Sequence, residues 1–491
     1  MTNIRLTKNR AFYDFLFDNY VSKGNLLIGY GIDPIKFYQS GYNLIEEIPV
    51  VVPESERFQH FGCLGTTGCG KTSMIRLMAM QDIISGKNVF IIDPKGDEDL
   101  FSTVVEAAYY AGRMDELLYI SPIYPSLSLK INLLKYFMIP DELIDHIVSG
   151  VQAREQYFIN VAQEVSTAIV KGLLTLSKAR GEQEFQLNFA EVKRWCSYSA
   201  LSDLLSSIEY LRSHSDPSIR RDADEVVTII SQILSSPQDF FAKVSSSLRT
   251  VLTALSSSTT GEIIGRATEN EFIKRLETGK GVIVFCNTGS LLARRTAHII
   301  ARVVVSMIQA TMGRLLAQGK TFYPPLSLYM DEGHNVLYHG ITELFNKGRG
   351  AKLIIHFFTQ SLAQITDAIG EDGAKSVTDN ISTWVYFRVN HTESAQYIES
   401  SSPTILKKMA VHNMNDGIYE PMLRDYEDKL ITASTILHLK DRNFFLRLKG
   451  HFYRGEVVTI PDPEILIEFP QETGALSQET EEQTTEEAVH A

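Results

Sequence analysis

Gly65-Thr66-Thr67-Gly68-Cys69-Gly70-Lys71-Thr72 reads G-x-x-x-x-G-K-[ST], between an apolar stretch at Phe61 to Leu64 and a helical-looking run from Thr72 to Ile84. Strand, glycine-rich loop and helix in that order bring backbone N–H groups around a polyphosphate, and the helix N-terminus adds a favourable dipole. Gly65, Thr66, Thr67, Gly68, Cys69 and Gly70 form the cradle. Lys71 is placed to reach the β- and γ-phosphates, and Thr72 offers its hydroxyl to Mg²⁺. The eight-residue pattern also occurs in unrelated loops, and here the flanking strand and helix favour the phosphate-binding reading. The motif predicts a nucleoside triphosphate, ATP with Mg²⁺, as cofactor.

A partner for that loop stands far downstream. Leu326-Ser327-Leu328-Tyr329-Met330 is an apolar run entered from Pro324-Pro325 and ending in Asp331-Glu332. A carboxylate at a strand's C-terminal end meets the Mg²⁺ held by a P-loop threonine, which assigns Asp331 to the metal. Glu332 is then placed to polarise a water for attack on the γ-phosphate. Taken alone, Asp-Glu could simply end a buried strand and cap a loop. The order of P-loop strand first and acidic strand later suits a doubly wound sheet with ligands at the strands' carboxyl ends.

Length and composition set the frame. A chain of 491 residues is long enough for two to three domains, and 44% hydrophobic with 22% charged residues is a globular composition. Cys63, Cys69, Cys196 and Cys286 have no C-x-x-C spacing, so neither a zinc site nor a disulfide framework is indicated, and a reducing cytosol is the compartment expected. No segment reads as ~20 uninterrupted apolar residues, and the first residues lack a signal-peptide core. The formal charge of −12 argues against a surface that coats nucleic acid. Half of that charge sits in six glutamates between Glu472 and Glu487, so residues 461–491 read as an acidic disordered tail, either solubilising or docking a basic partner.

Along the chain, residues 1–60 are mixed and aromatic-rich, a lead-in or docking segment. From Phe61 an α/β rhythm is clear: P-loop strand and helix, then the buried strand Asn88 to Ile92 ending in Asp93-Pro94-Lys95-Gly96-Asp97, then a strand near Leu118-Tyr119-Ile120. Residues 140–260 show apolar positions at three- and four-residue spacing and almost no strand-like run, which predicts an inserted all-alpha domain. Strands resume at Gly281 to Cys286, followed by a long helix from about Leu291 to Leu316, the acidic strand, Lys352 to Phe358, Trp384 to Val389, and a closing hairpin at Phe444 to Leu448 and Gly455 to Ile460. The discontinuous core is thus 61–139 with 261–460. Two further features stand near the acidic strand. In Lys347-Gly348-Arg349-Gly350, Arg349 could project toward a neighbouring subunit's triphosphate as an arginine finger, the plain alternative being a solvated glycine-rich turn. Gln360, closing the next strand, could sense the γ-phosphate or simply end the strand.

Together these stretches resemble the TraG/TraD class of type IV secretion coupling proteins, within the HerA/FtsK group of P-loop ATPases. The resemblance rests on the P-loop, on Ile91-Ile92-Asp93-Pro94-Lys95-Gly96-Asp97, on Met330-Asp331-Glu332, and above all on the run from Lys347-Gly348-Arg349-Gly350 to Thr359-Gln360-Ser361-Leu362-Ala363-Gln364. It covers about Phe61 to Ile460. It implies an α/β fold with a RecA-like P-loop core, a mostly parallel sheet flanked by helices, and the inserted all-alpha domain. It also implies a homo-hexameric ring that hydrolyses ATP, recruits a relaxase–DNA complex to a secretion channel and moves DNA, expected single-stranded, through its pore. Lys71 and Thr72 then bind ATP and Mg²⁺, Asp331 holds Mg²⁺, Glu332 activates water, Arg349 acts in trans and Gln360 senses the γ-phosphate.

One departure stands out. Such proteins usually carry a transmembrane hairpin ahead of the P-loop, and the 64 residues before Gly65 contain no candidate. The expectation is a cytoplasmic protein held peripherally at the inner membrane by partners. Another translocase of the same group, a protein-only secretion ATPase, or an adaptor that binds ATP without hydrolysis are the alternatives. Arg294, Arg295 and Arg302 on the long helix could face DNA, solvated charge being the plainer reading. Cys69, at a helix N-terminus beside Lys71, is expected to have a lowered pKa and a reactive thiol.

Overall fold

A computed structural model describes residues 8–40, 45–152, 155–182, 187–412 and 421–469. The strands are β1 (Asn25–Ile32), β2 (Ile48–Pro53), β3 (Phe61–Leu64), β4 (Asn88–Asp93), β5 (Leu117–Ile120), β6 (Ile283–Asn287), β7 (Leu326–Met330), β8 (Leu353–Thr359), β9 (Thr383–Tyr386), β10 (Thr404–His412), β11 (Pro421–Lys429), β12 (Asn443–Leu448) and β13 (His451–Val457). Eleven form one sheet in the order β2-β1-β13-β12-β9-β3-β8-β7-β4-β6-β5, and β10 pairs with β11 apart from it. From β9 to β5 every neighbouring pair is parallel, and β12, β13, β1 and β2 extend that sheet antiparallel.

Parallel strands are buried on both faces and so read as continuous apolar runs. In β4 the side chains alternate between two cores: Phe90 and Ile92 join one, Val89 and Ile91 the other. In β6, Val284 and Cys286 divide from Ile283 and Phe285 in the same way. One face is covered by the P-loop helix Lys71–Ile84 and the helix Glu98–Tyr110. The latter begins where Asp97 Oδ1 accepts the N–H of Leu100 at 2.8 Å, an N-cap reinforced by Glu98 and Asp99 in the first turn. The other face is covered by the helix Ser290–Ala317 and by helices that run from Pro140 to Thr278, with no strand among the described residues between Ile120 and Ile283.

Three expectations are corrected. The first sixty residues are not a separate lead-in, because β1 pairs with β13 and β2 with β1. Gly29 permits this: a Cβ there would lie 2.2 Å from the carbonyl oxygen of Glu456. Second, the helix Ser290–Ala317 is long and apolar enough, by length and composition, to cross a membrane, although 78% of its apolar window is buried inside the fold. Its apolarity is that of a helix packed between the sheet and the helical segment. Of the expected disordered tail 461–491, residues 470–491 lie outside the described residues, whereas 461–469 pack on the fold, the Ile467 N–H donating to Ser102 Oγ at 2.9 Å and Phe469 stacking on Tyr124.

Beneath the sheet's catalytic-looking end sits a buried ionic node. Arg57, just before β3, donates Nη1 and Nη2 to Asp82 of the P-loop helix at 2.6 and 2.5 Å. Tyr329 of β7 donates its hydroxyl to Asp82 Oδ2, and the His356 ring of β8 stacks on Tyr329 with centroids 4.1 Å apart. Burial pushes the Asp82 carboxyl up, but Arg57 and Lys87 overcome it and hold the group far below the usual carboxylate range. A depressed folded-state pKa stabilises above the unfolded value near pH ~4, and that contribution is lost as pH falls below it. Arg57→Met, which leaves Asp82 buried without its bidentate partner, is expected to cost about 3–5 kcal/mol at pH 7. Urea denaturation checks this, and the gap from wild type should narrow as pH drops below about 4.

Candidate functional site: a P-loop beside an acidic strand

Register brings the site together. Leu64 of β3 lies opposite Thr359 of β8, Met330 of β7 opposite Phe357, and Ile92 of β4 opposite Met330. The carboxyl ends of four parallel strands therefore deliver Gly65, Gln360, Asp331-Glu332 and Asp93 to one edge, as expected of a ligand site in an open α/β sheet. One strand, β8, stands between the P-loop strand and the acidic strand.

The loop from Gly65 to Gly70 leads into the helix beginning at Lys71. Gly68 and Gly70 have φ of 78° and 115°, which non-glycine residues rarely adopt. A Cβ on Gly65 would meet Cys69 Sγ at 2.6 Å and Phe387 Cβ at 2.8 Å, so this position too is closed to larger residues. Lys71 Nζ donates to the carbonyl oxygens of Gly65 at 2.6 Å and Thr66 at 3.0 Å, which holds the ammonium on the loop. Thr72 follows in the first helical turn, half-buried. The Asn390 amide donates to Thr66 Oγ1 at 3.0 Å, and the N–H of Arg442 to the carbonyl of Cys69 at 2.8 Å.

On the acidic side Lys95 makes a contact that linear reading missed. Its Nζ lies 3.1 Å from Asp331 Oδ2 and 3.1 Å from Glu332 Oε1. Gln360 Nε2 donates to both Glu332 oxygens at 3.0 and 3.1 Å. Gln364 Oε1 in turn accepts the N–H of Gln360 at 3.2 Å and the Thr359 hydroxyl at 3.2 Å, anchoring the strand end. Burial pushes the Glu332 carboxyl up, yet the Gln360 amide and the Lys95 ammonium outweigh it and hold the group below its usual value. Glu332 is thus a carboxylate at neutral pH, in the left-handed backbone region at φ 48°. Such strain in a non-glycine residue is a feature of functional sites. Asp93 accepts the N–H groups of Lys95 at 2.9 Å and Asp97 at 2.6 Å. Burial nonetheless pushes its pKa up to about 6.

The structure thus gathers Lys71, Asp331, Glu332 and Gln360 at one edge. Arg349 is elsewhere: it is exposed on the turn Arg349–Ala351 leading into the opposite, N-terminal end of the seven-residue β8. At ~3.3 Å per residue that is roughly 20 Å from Gln360, so Arg349 does not serve the phosphate site of its own chain. Cys69 departs from expectation. Its side chain is 1% exposed in the core with Cys63 and Phe387, and burial pushes its thiol pKa up while Lys71 only partly offsets this. Only its backbone faces the cradle's task. The signal for Lys95 was its place in Asp-Pro-Lys-Gly-Asp at the end of β4, which gains a role only once β4 and β7 are known to be neighbours. Iodoacetamide at pH 8 is expected to label Cys69 in the folded protein at least about tenfold more slowly than in urea-unfolded chain. Equal rates by mass spectrometry would contradict the burial.

Residues 325–404, from the entry to β7 through the start of β10, match the family model of the TraM recognition site of TraD and TraG. Comparison with curated protein sequences returns no match. Among solved structures, the unbound bacterial conjugative coupling protein TrwBΔN70 aligns with a TM-score of 0.60 at 15% identity, covering 91% of this chain and 95% of that one. TrwB in complex with ADP and Mg²⁺ aligns with a TM-score of 0.59 at 15% identity, over 90% and 97%. VirB4 of Thermoanaerobacter pseudethanolicus gives 0.51 at 10% identity, over 89% and 97%. The fold is that of a RecA-like P-loop NTPase, and the matched segment together with that fold bears out the resemblance of this chain to the TraG/TraD class.

Proposed function

We propose that this chain is a coupling ATPase, which recruits a relaxase–DNA complex to a type IV secretion channel and uses ATP to move the DNA. The observation that carries the reading is the Lys95-bridged Asp331–Glu332 pair, with Gln360 on Glu332, at the strand ends beside the P-loop. The 325–404 match and the TrwB-like fold supply the coupling context.

The residues fit ATP and Mg²⁺. Backbone N–H groups of the loop and Lys71 suit the phosphates, and Thr72 with Asp331 suits the metal, which when bound neutralises developing charge on the transferring phosphoryl group. Glu332, ionised and fixed by Gln360, orients and polarises the attacking water. Gln360 links the γ-phosphate region to β8. Lys95 compensates the charge of Asp331 and Glu332 in this structure, a role that a Mg²⁺ held by Thr72 and Asp331 would share. Arg349 completes the site from a neighbouring subunit of a homo-hexamer, in keeping with its exposure and its distance from its own phosphate loop. The protein works in the cytoplasm, held at the inner membrane by channel partners.

Glu332→Gln is expected to lower kcat for ATP hydrolysis by about 10²–10⁴-fold while nucleotide affinity holds. Lys71→Ala should remove nucleotide binding. Arg349→Ala should lower hydrolysis by roughly 10³-fold or more only in the assembled protein. The deciding measurement is ATPase activity with and without single- and double-stranded DNA. Stimulation by DNA that is lost in Lys71→Ala and Arg349→Ala supports the reading, and hydrolysis indifferent to DNA sinks translocation of DNA.

A further inference from the structure

Arg302, on the helix Ser290–Ala317, is 2% exposed, yet its Nε and Nη1 have no hydrogen-bond partner among the described residues. Its fellow Arg314 on the same helix shows what a satisfied buried arginine looks like. There Nη1 donates to Glu142 at 2.6 Å and to the carbonyl of Tyr136 at 3.1 Å, Nε to Glu277 at 3.1 Å, and Nη2 to the Thr311 hydroxyl at 3.1 Å. Arginine is almost never buried without such pairing, because an uncompensated charge away from water is costly. Burial alone pulls the Arg302 pKa down to about 10, with no carboxylate pulling it back.

Arg302 lines a cavity of about 550 Å³, within the size range of small-molecule sites. Val151, Tyr338, Thr366, Asp367 and Gly370 contribute to its wall. Four and eight residues before Arg302 on the same helix are His298 and Arg294, a spacing that sets the three on one face. Burial first, then Arg302 and Arg294, pull the His298 pKa down to about 4. The expectation of solvated charge holds for Arg294 and Arg295, which are exposed, and fails for Arg302.

We propose that Arg302 and this cavity form a binding site for a small oxyanion-bearing molecule, a phosphate ester or a carboxylate, separate from the P-loop. The planar fork of a guanidinium matches two oxygens of either group. The walls connect the site to the chemistry. Leu337 to His339 lie in the loop that follows Glu332, and Thr366 to Gly370 lie in the helix Leu362–Asp379 that starts two residues after Gln360. An occupant therefore braces both segments that carry the water-positioning groups.

The test is thermal unfolding titrated with inorganic phosphate or acetate at constant ionic strength, in a Lys71→Ala background that disables the P-loop as a phosphate site. The expected result is a saturable rise in Tm that vanishes when Arg302→Met is added, while that variant without anion melts at or above its parent because a buried unpaired charge is gone. A response to phosphate assigns an ester, and a response to acetate a carboxylate. Equal shifts with and without Arg302 would be a general salt effect and would overturn the site, as would no shift in either. Should Arg302→Met not fold, Arg302→Lys decides: half-saturation weakened by about tenfold supports the fork, and unchanged half-saturation overturns it.

Discussion

The contact on which the rest depends is the bidentate pair of Arg57 and Asp82, closed by Tyr329 and His356. It joins the segment before β3, the P-loop helix, the acidic strand and the strand between them. A buried ion pair adds little net stability, since desolvation offsets most of the Coulomb gain. Its effect is geometric. With both carboxylate oxygens of Asp82 engaged, the P-loop helix cannot slide along β7 without stranding a charge. His356, held neutral by burial and by Arg57, completes the node without adding a second cation.

At the other end of the same strands charge is kept adjustable. Lys95 is 40% exposed at its side chain, whereas Asp331 and Glu332 are nearly covered. A flexible ammonium in front of two fixed carboxylates compensates their charge from the solvent side. The buried node lies below and the half-exposed Lys95 contact above, at the edge where the P-loop and the acidic strand meet.

Much of this was legible in the chain. The P-loop, Asp331-Glu332 and Gln360 each sit at the end of an apolar run, and such runs declare strands of a parallel sheet. What stayed hidden depends on neighbours distant in sequence. β1 shows no clean alternation, because Leu26, Leu27 and Ile28 are all buried while Gly29 and Gly31 meet β13 by close backbone approach. β10 and β11 stand outside the main sheet, and runs such as Arg424-Asp425-Tyr426-Glu427-Asp428-Lys429 bury too little to leave a hydrophobic signature. Cys69 was misjudged because helix position and a neighbouring lysine are visible in sequence, whereas which way a side chain turns is not. Arg302 reads as a surface charge on any helical wheel, and only the covering of its helix from both sides makes it internal.

The pairing of β1 with β13 has a consequence for the ribosome. The two strands that meet inside one sheet are separated by more than 400 residues of chain. At about 5–20 residues per second, β1 and β2 wait roughly 20 to 80 seconds for their partner to be made. A two-strand ribbon is barely stable by itself, and its open edge of unpaired N–H and C=O groups invites pairing with whatever strand is near. Chaperone protection during synthesis is therefore needed most at the first strands made, long after the nucleotide loop has emerged.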